Sequence, residues 1–141
     1  VQKRFSDLAL RERDHLQEWL ANQPDALGEE LLIIQKEFDG FDETRERLDL
    51  LALDKDGNLV VIENKLDDSG RDVTWQALKY TAYVSGLTTT QIVDIYQQYL
   101  DRYCGGGNAV GPATPGCGSH RRRASLSARL ESLDSARAAD R

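Results

Sequence analysis

The chain has 141 residues, 40% of them hydrophobic and 30% charged, the size and composition of one globular domain. No apolar run approaches the ~18 residues of a membrane span, and no basic-then-apolar signal segment opens the chain, so a cytoplasmic protein away from membranes is expected. The net charge is −6; six arginines against three acids in residues 104–141 leave −9 on residues 1–103, a poor balance for gripping a polyanion unaided.

In chain order, Ser6 or Asp7 can cap a first helix running to about Asn22, with Leu16, Trp19 and Leu20 as its apolar face and Glu12 one turn earlier. Pro24 ends it, because proline disfavours helix in the residue before it. Leu31 to Phe38 reads as a strand. Strands Arg47 to Leu53 and Leu59 to Lys65 then flank a turn that contains Asp56-Gly57. A polar loop leads to a helix from about Asp72 to Ser85, with Val73, Leu78, Ala82 and Val84 available for packing. Thr88 or Thr89 can cap a last helix to Tyr103, whose Ile92, Ile95, Tyr96, Tyr99 and Tyr103 form an apolar stripe.

Residues 104–141 change character. The stretch is rich in Gly, Ala, Arg and Ser and nearly free of large apolar residues, so it is expected to lack the burial that offsets ordering entropy. The expected organisation is a domain over 1–103 and a disordered or non-native tail, with room for a short helix from about Leu126 to Ala139. The tail's composition also resembles GC-rich coding sequence read out of frame. The absence of methionine points to a piece of a longer protein. Cys104 and Cys117 form no CxxC pair and have no histidine set nearby, which argues against zinc and fits a reducing compartment.

The segment RLDLLALDKDGNLVVIENK, Arg47 to Lys65, carries the chemistry. A three-residue loop, Lys55-Asp56-Gly57, makes the numbers of paired residues sum to 112 and sets Asp49 opposite Glu63 and Arg47 opposite Lys65. Opposed Cβ atoms lie roughly 5 Å apart, close enough for two carboxylates to share a cation. A two-residue turn would pair Asp49 with Asn64 and break the set. Both acids sit against near-continuous apolar runs typical of strands covered on both faces. Acids there are costly unless paired or metal-bound, so a site and a structural ion pair fit the residues equally well. A calcium loop starting at Asp54 is rejected, since Leu59 and Lys65 stand where glycine and glutamate are required. Gln76 and Tyr80, four apart on one helix face, and Glu12 say little by themselves; Glu18 is a similar candidate to Glu12.

Taken in order, these pieces over residues 5 to 103 resemble the PD-(D/E)xK nuclease superfamily. Asp49 fits its first acid, without the preceding proline; Glu63-Asn64-Lys65 fits the (D/E)xK triplet; Gln76 to Tyr80 fits the QxxxY helix of the RecB-like branch; Glu12 fits the acid on the leading helix. The arrangement looks most like the catalytic domain of the NucS/EndoMS endonucleases. The resemblance implies an α/β restriction-endonuclease-like core, a central mixed β-sheet flanked by helices. It also implies Mg²⁺ or Mn²⁺ dependence and DNA cleavage, with a role in DNA repair. Asp49 and Glu63 would ligate the metal with the backbone carbonyl of Asn64. Lys65 would orient the attacking water, Glu12 would reach the metal through water, and Gln76 and Tyr80 would position the scissile strand. A separate domain would supply dimerisation and much of the DNA grip. The alternative is a nuclease-fold module that binds nucleic acid or a protein partner without cutting.

Overall fold

A computed structural model describes residues 5–40, 47–64, 71–112 and 125–141; within these, the side chains of residues 5, 6, 12, 13 and 71–73 are not described. The N-terminal segment is not one helix. A 3₁₀ turn at Phe5–Leu8 is cut off by Ala9 at φ 56, a π-helical turn follows at Glu12–Gln17, and only Glu18–Asn22 is α-helical (α1). The Arg11 carbonyl accepts from the amides of both His15, at 3.1 Å, and Leu16, at 3.3 Å, which widens that turn. Of the expected apolar face, Leu20 is buried, Leu16 half-buried, and Trp19 faces solvent.

Three strands follow: β1 (Leu32–Phe38), β2 (Leu48–Leu53) and β3 (Leu59–Ile62). They form one sheet in the order β1-β2-β3, antiparallel at both junctions. The described strands therefore give an antiparallel sheet, where a mixed one was expected: each strand returns beside its predecessor through a connection too short for a parallel crossover. β2 is central, and Leu48, Leu50, Leu51, Ala52 and Leu53 have no exposed surface. A bulge between Ile33 and Gln35 shifts the β1 register.

Helix α2 (Arg71–Val84) packs through Tyr80 and Val84, one turn apart. Of its other expected core positions, Leu78 and Ala82 face outward, with Trp75 68% exposed beside them, and the Val73 side chain lies outside the described residues. Tyr83 packs its ring 6.2 Å from that of Phe38 and donates its hydroxyl to the Gly40 carbonyl. Helix α3 (Thr89–Tyr103) begins with a reciprocal cap: the Gln91 amide donates to Thr88 Oγ1 at 3.2 Å and the Thr88 amide to Gln91 Oε1 at 2.8 Å. Its buried stripe is Ile92, Ile95, Tyr96, Tyr99 and Leu100, with Tyr103 half-buried. Gln35 reaches across from β1 to donate to the Ile95 carbonyl at 3.3 Å.

Within residues 104–141 the short helix for which the sequence left room is present as α4 (Leu126–Ala139). Leu126, Arg129, Leu130 and Leu133, at helical spacing, are all buried. Arg129 has no exposed surface. Its Nη1 donates to the carbonyls of Leu53 at 3.0 Å and Glu30 at 3.2 Å, and its Nη2 meets Glu30 Oε1 at 3.1 Å. Few apolar residues suffice because one arginine satisfies strand-end carbonyls that would otherwise be left unpaired. Among the described residues no helix is long and apolar enough to cross a membrane.

Candidate functional site

The β2–β3 hairpin has the register that the three-residue loop requires. Leu50 pairs with Ile62, Leu51 with Val61, Ala52 with Val60 and Leu53 with Leu59, so every pair sums to 112. The turn enforces it. The Asp54 amide donates to the Asn58 carbonyl at 3.0 Å, and the Gly57 amide to the Asp54 carbonyl at 3.2 Å. Gly57 takes φ +87, which L side chains rarely adopt. The Asp54 carboxylate accepts from the amides of Asp56 and Asn58 at 2.9 and 2.8 Å and from the Asn58 side chain at 2.9 Å. Burial alone would raise its pKa; these hydrogen bonds, with the Arg129 charge, outweigh burial and hold it below the usual value.

β3 ends at Ile62; continued by one residue past Leu50–Ile62, this register would set Asp49 opposite Glu63. Both are half-buried. The Asn64 amide donates to Asp49 Oδ2 at 2.8 Å, which fixes the carboxylate's orientation from the neighbouring strand. Asn64 itself is only 4% exposed, and its Nδ2 is buried without a hydrogen bond among the described residues.

Tyr80 comes to this end of the sheet. It is buried, and its hydroxyl donates to the Arg47 carbonyl at 3.3 Å, pinning the chain just before β2 to α2. Gln76 is half-buried one turn earlier. Lys65 and the side chain of Glu12 lie outside the described residues. Glu18, the other acid considered on the leading helix, is committed elsewhere: both its carboxylate oxygens accept from Lys36 Nζ, at 2.7 and 2.9 Å, and that ammonium sits 4.2 Å from the centre of the Tyr103 ring. These groups line a cleft of about 320 Å³ with Asp14, Gln17 and Glu37.

Glu37 was missed by the sequence reading. Its neighbours Lys36 and Phe38 pair with Leu50 and Leu48; continued through Glu37 and past Ile62, the two registers would give a row Glu37, Asp49, Glu63 across the sheet. Glu37 takes φ 52, a left-handed conformation costing roughly 1–3 kcal/mol for a residue with a Cβ. Its only sequence signal is that it is the acid at the polar end of LLIIQKEF. The row does not converge: no group of three or more His, Cys, Asp or Glu side chains among the described residues could hold a metal ion. Asp49 and Glu63 nonetheless match a hard divalent cation chemically, since Mg²⁺ takes one or two carboxylates and keeps several waters. Comparisons with protein-family models, with curated proteins and with solved structures each found no match.

Proposed function

We propose that the chain is a metal-dependent endonuclease domain that hydrolyses DNA phosphodiester bonds, built on a restriction-endonuclease-like core. The observation that supports it is the β2–β3 register, in which every pair from Leu50–Ile62 to Leu53–Leu59 sums to 112; one residue further it would bring Asp49 to Glu63. Asp49 and Glu63 would hold Mg²⁺ or Mn²⁺, which when bound supplies Lewis acidity and an acidified water. Asn64 keeps Asp49 oriented through its N–H, Tyr80 holds the entry to β2 against α2, and Lys65 offers positive charge to the water or the departing oxygen. A second reading, a module of this fold that binds without cutting, is favoured by the −9 charge of residues 1–103.

The test is cleavage of single-stranded, duplex and mismatched DNA with Mn²⁺ by the wild type, Glu63→Ala and Lys65→Ala. Loss of a ligand that supplies several kcal/mol lowers the rate at least ~100-fold. Cleavage that survives both substitutions removes the assigned site. Binding without cleavage by the wild type and by longer forms selects the second reading.

A further inference from the structure

Two carboxylates at a cutting centre repel the phosphate they must approach, so besides any metal, and besides Lys65 at the water or leaving oxygen, the site needs a cation that grips the phosphate itself. Lys36 lies on β1 next to this region, but it is engaged by both Glu18 oxygens and the Tyr103 ring, with its side chain only 12% exposed. Arg129 is buried at the turn end of the hairpin. Arg47 differs. It lies two residues before Asp49, and alternation along an extended chain directs both to one face. Its side chain is 52% exposed, and its backbone is fixed by the Tyr80 hydroxyl. Its guanidinium Nη1 is 3.6 Å from Glu37 Oε2, beyond hydrogen-bond length, so the pair is a Coulombic contact near solvent rather than a locked bridge. Guanidinium is the side-chain group best shaped to take two oxygens of a phosphate.

We propose that Arg47 is the phosphate-contacting residue of this site and that Glu37 is a positioning residue, parking the guanidinium beside Asp49 until a nucleic-acid phosphate displaces the carboxylate. This rests on the nuclease reading for the identity of the ligand, a DNA backbone phosphate. Glu37 suits the part: it holds a left-handed backbone conformation between Lys36 and Phe38, which pair with Leu50 and Leu48 beside Asp49.

The test uses the full chain and a labelled DNA duplex with Ca²⁺ as the divalent ion, recording the association constant against salt, alongside the Mn²⁺ cleavage assay. Arg47→Gln is expected to weaken binding of all sequences alike and to reduce the slope of log K against log[salt] by about 0.9, one phosphate contact. Arg47→Lys, which keeps the charge, is expected to restore the slope. Glu37→Gln is expected to tighten binding about two- to five-fold, the worth of an exposed ion pair. An unchanged slope in Arg47→Gln, or a wild type that does not bind DNA, overturns the assignment. If the slope is unchanged but the wild type cuts, the assignment falls and the nuclease reading stands. If the slope falls and nothing is cut, the phosphate contact stands and hydrolysis falls.

Discussion

Substituting Gly57 separates two reasons for a glycine at that turn. The first is conformational: at φ +87 an alanine costs about 1–2 kcal/mol. The second is the approach of α4. A Cβ at residue 57 would lie 2.8 Å from the Leu133 backbone nitrogen and closer still to the Arg129 carbonyl oxygen, and helix backbone cannot rotate away. Overpacking of this kind costs about 1–3 kcal/mol. Gly57→Ala is therefore expected to lose about 2–5 kcal/mol, against a total of roughly 5–15 for a domain. Asparagine tolerates the left-handed region well, so Gly57→Asn carries little of the first cost and all of the second. Urea unfolding followed by circular dichroism reads both, with a slope of about 1–3 kcal/mol per molar. The expected result is that the asparagine variant stays destabilised by at least about 1 kcal/mol. An asparagine variant within ~0.5 kcal/mol of wild type, beside a costly alanine one, would refute the seating of α4 on the turn and restore a tail that contributes nothing.

Arg129→Ala is expected to cost about 2–4 kcal/mol in the same unfolding assay, because the Leu53 and Glu30 carbonyls lose their donor; a cost under 1 kcal/mol would mean that water replaces the guanidinium. Burial, then the neighbouring Tyr96, Glu18 and Tyr103, push the Tyr99 hydroxyl up to about 12. A raised folded value gives stability that is complete below the unfolded value near 10 and is lost as pH rises through about 12. Tyr99→Phe should therefore flatten the alkaline loss of stability in that window, read by unfolding at stepped pH. Asp54 has the opposite sign: its lowered pKa gives stability that is present above about pH 4 and lost as pH falls through the folded value, so Asp54→Asn should shallow the acid limb of the stability curve.

The hairpin was legible because its signals are local and agree. Gly57 at the left-handed position of a three-residue loop fixes how the two apolar runs, Leu50 to Leu53 and Leu59 to Ile62, meet, and the observed pairs take the expected register. The α3 stripe was legible for the same reason, its period being intrinsic to the helix. Helix α4 had its bounds in the sequence but not its burial, because composition counts Arg129 as a solvated charge and only the meeting of α4 with the Leu53 and Glu30 carbonyls makes it a core residue. The outward aim of Trp75 and Leu78 depends on which face of α2 the sheet receives, a tertiary choice that helical spacing leaves open. At the site, the register expected from the turn is observed as far as Leu50–Ile62, next to Asp49 and Glu63. The Tyr80 contact with Arg47 spans 33 residues and Glu37 owes its place to a strained φ; neither leaves a pattern in the chain.

The turn and the candidate site lie at opposite ends of one hairpin, and the sheet's two-residue period couples them. A slip of one residue at Gly57 would exchange the faces of every β3 side chain relative to β2 and set Asn64 opposite Asp49. Each end is held separately. α4 grips the turn through Gly57 and Arg129, while the Asn64 amide and the Tyr80 hydroxyl hold the open end at Asp49 and Arg47. Register is all-or-none for four apolar pairs, so a weakened turn does not move Asp49 gradually away from Glu63; it lowers the fraction of chains in which they face each other. On the nuclease reading, the Gly57 variants should therefore lose cleavage in proportion to the folded fraction, with the rate per folded molecule unchanged, whereas Glu63→Ala removes cleavage from molecules that remain folded.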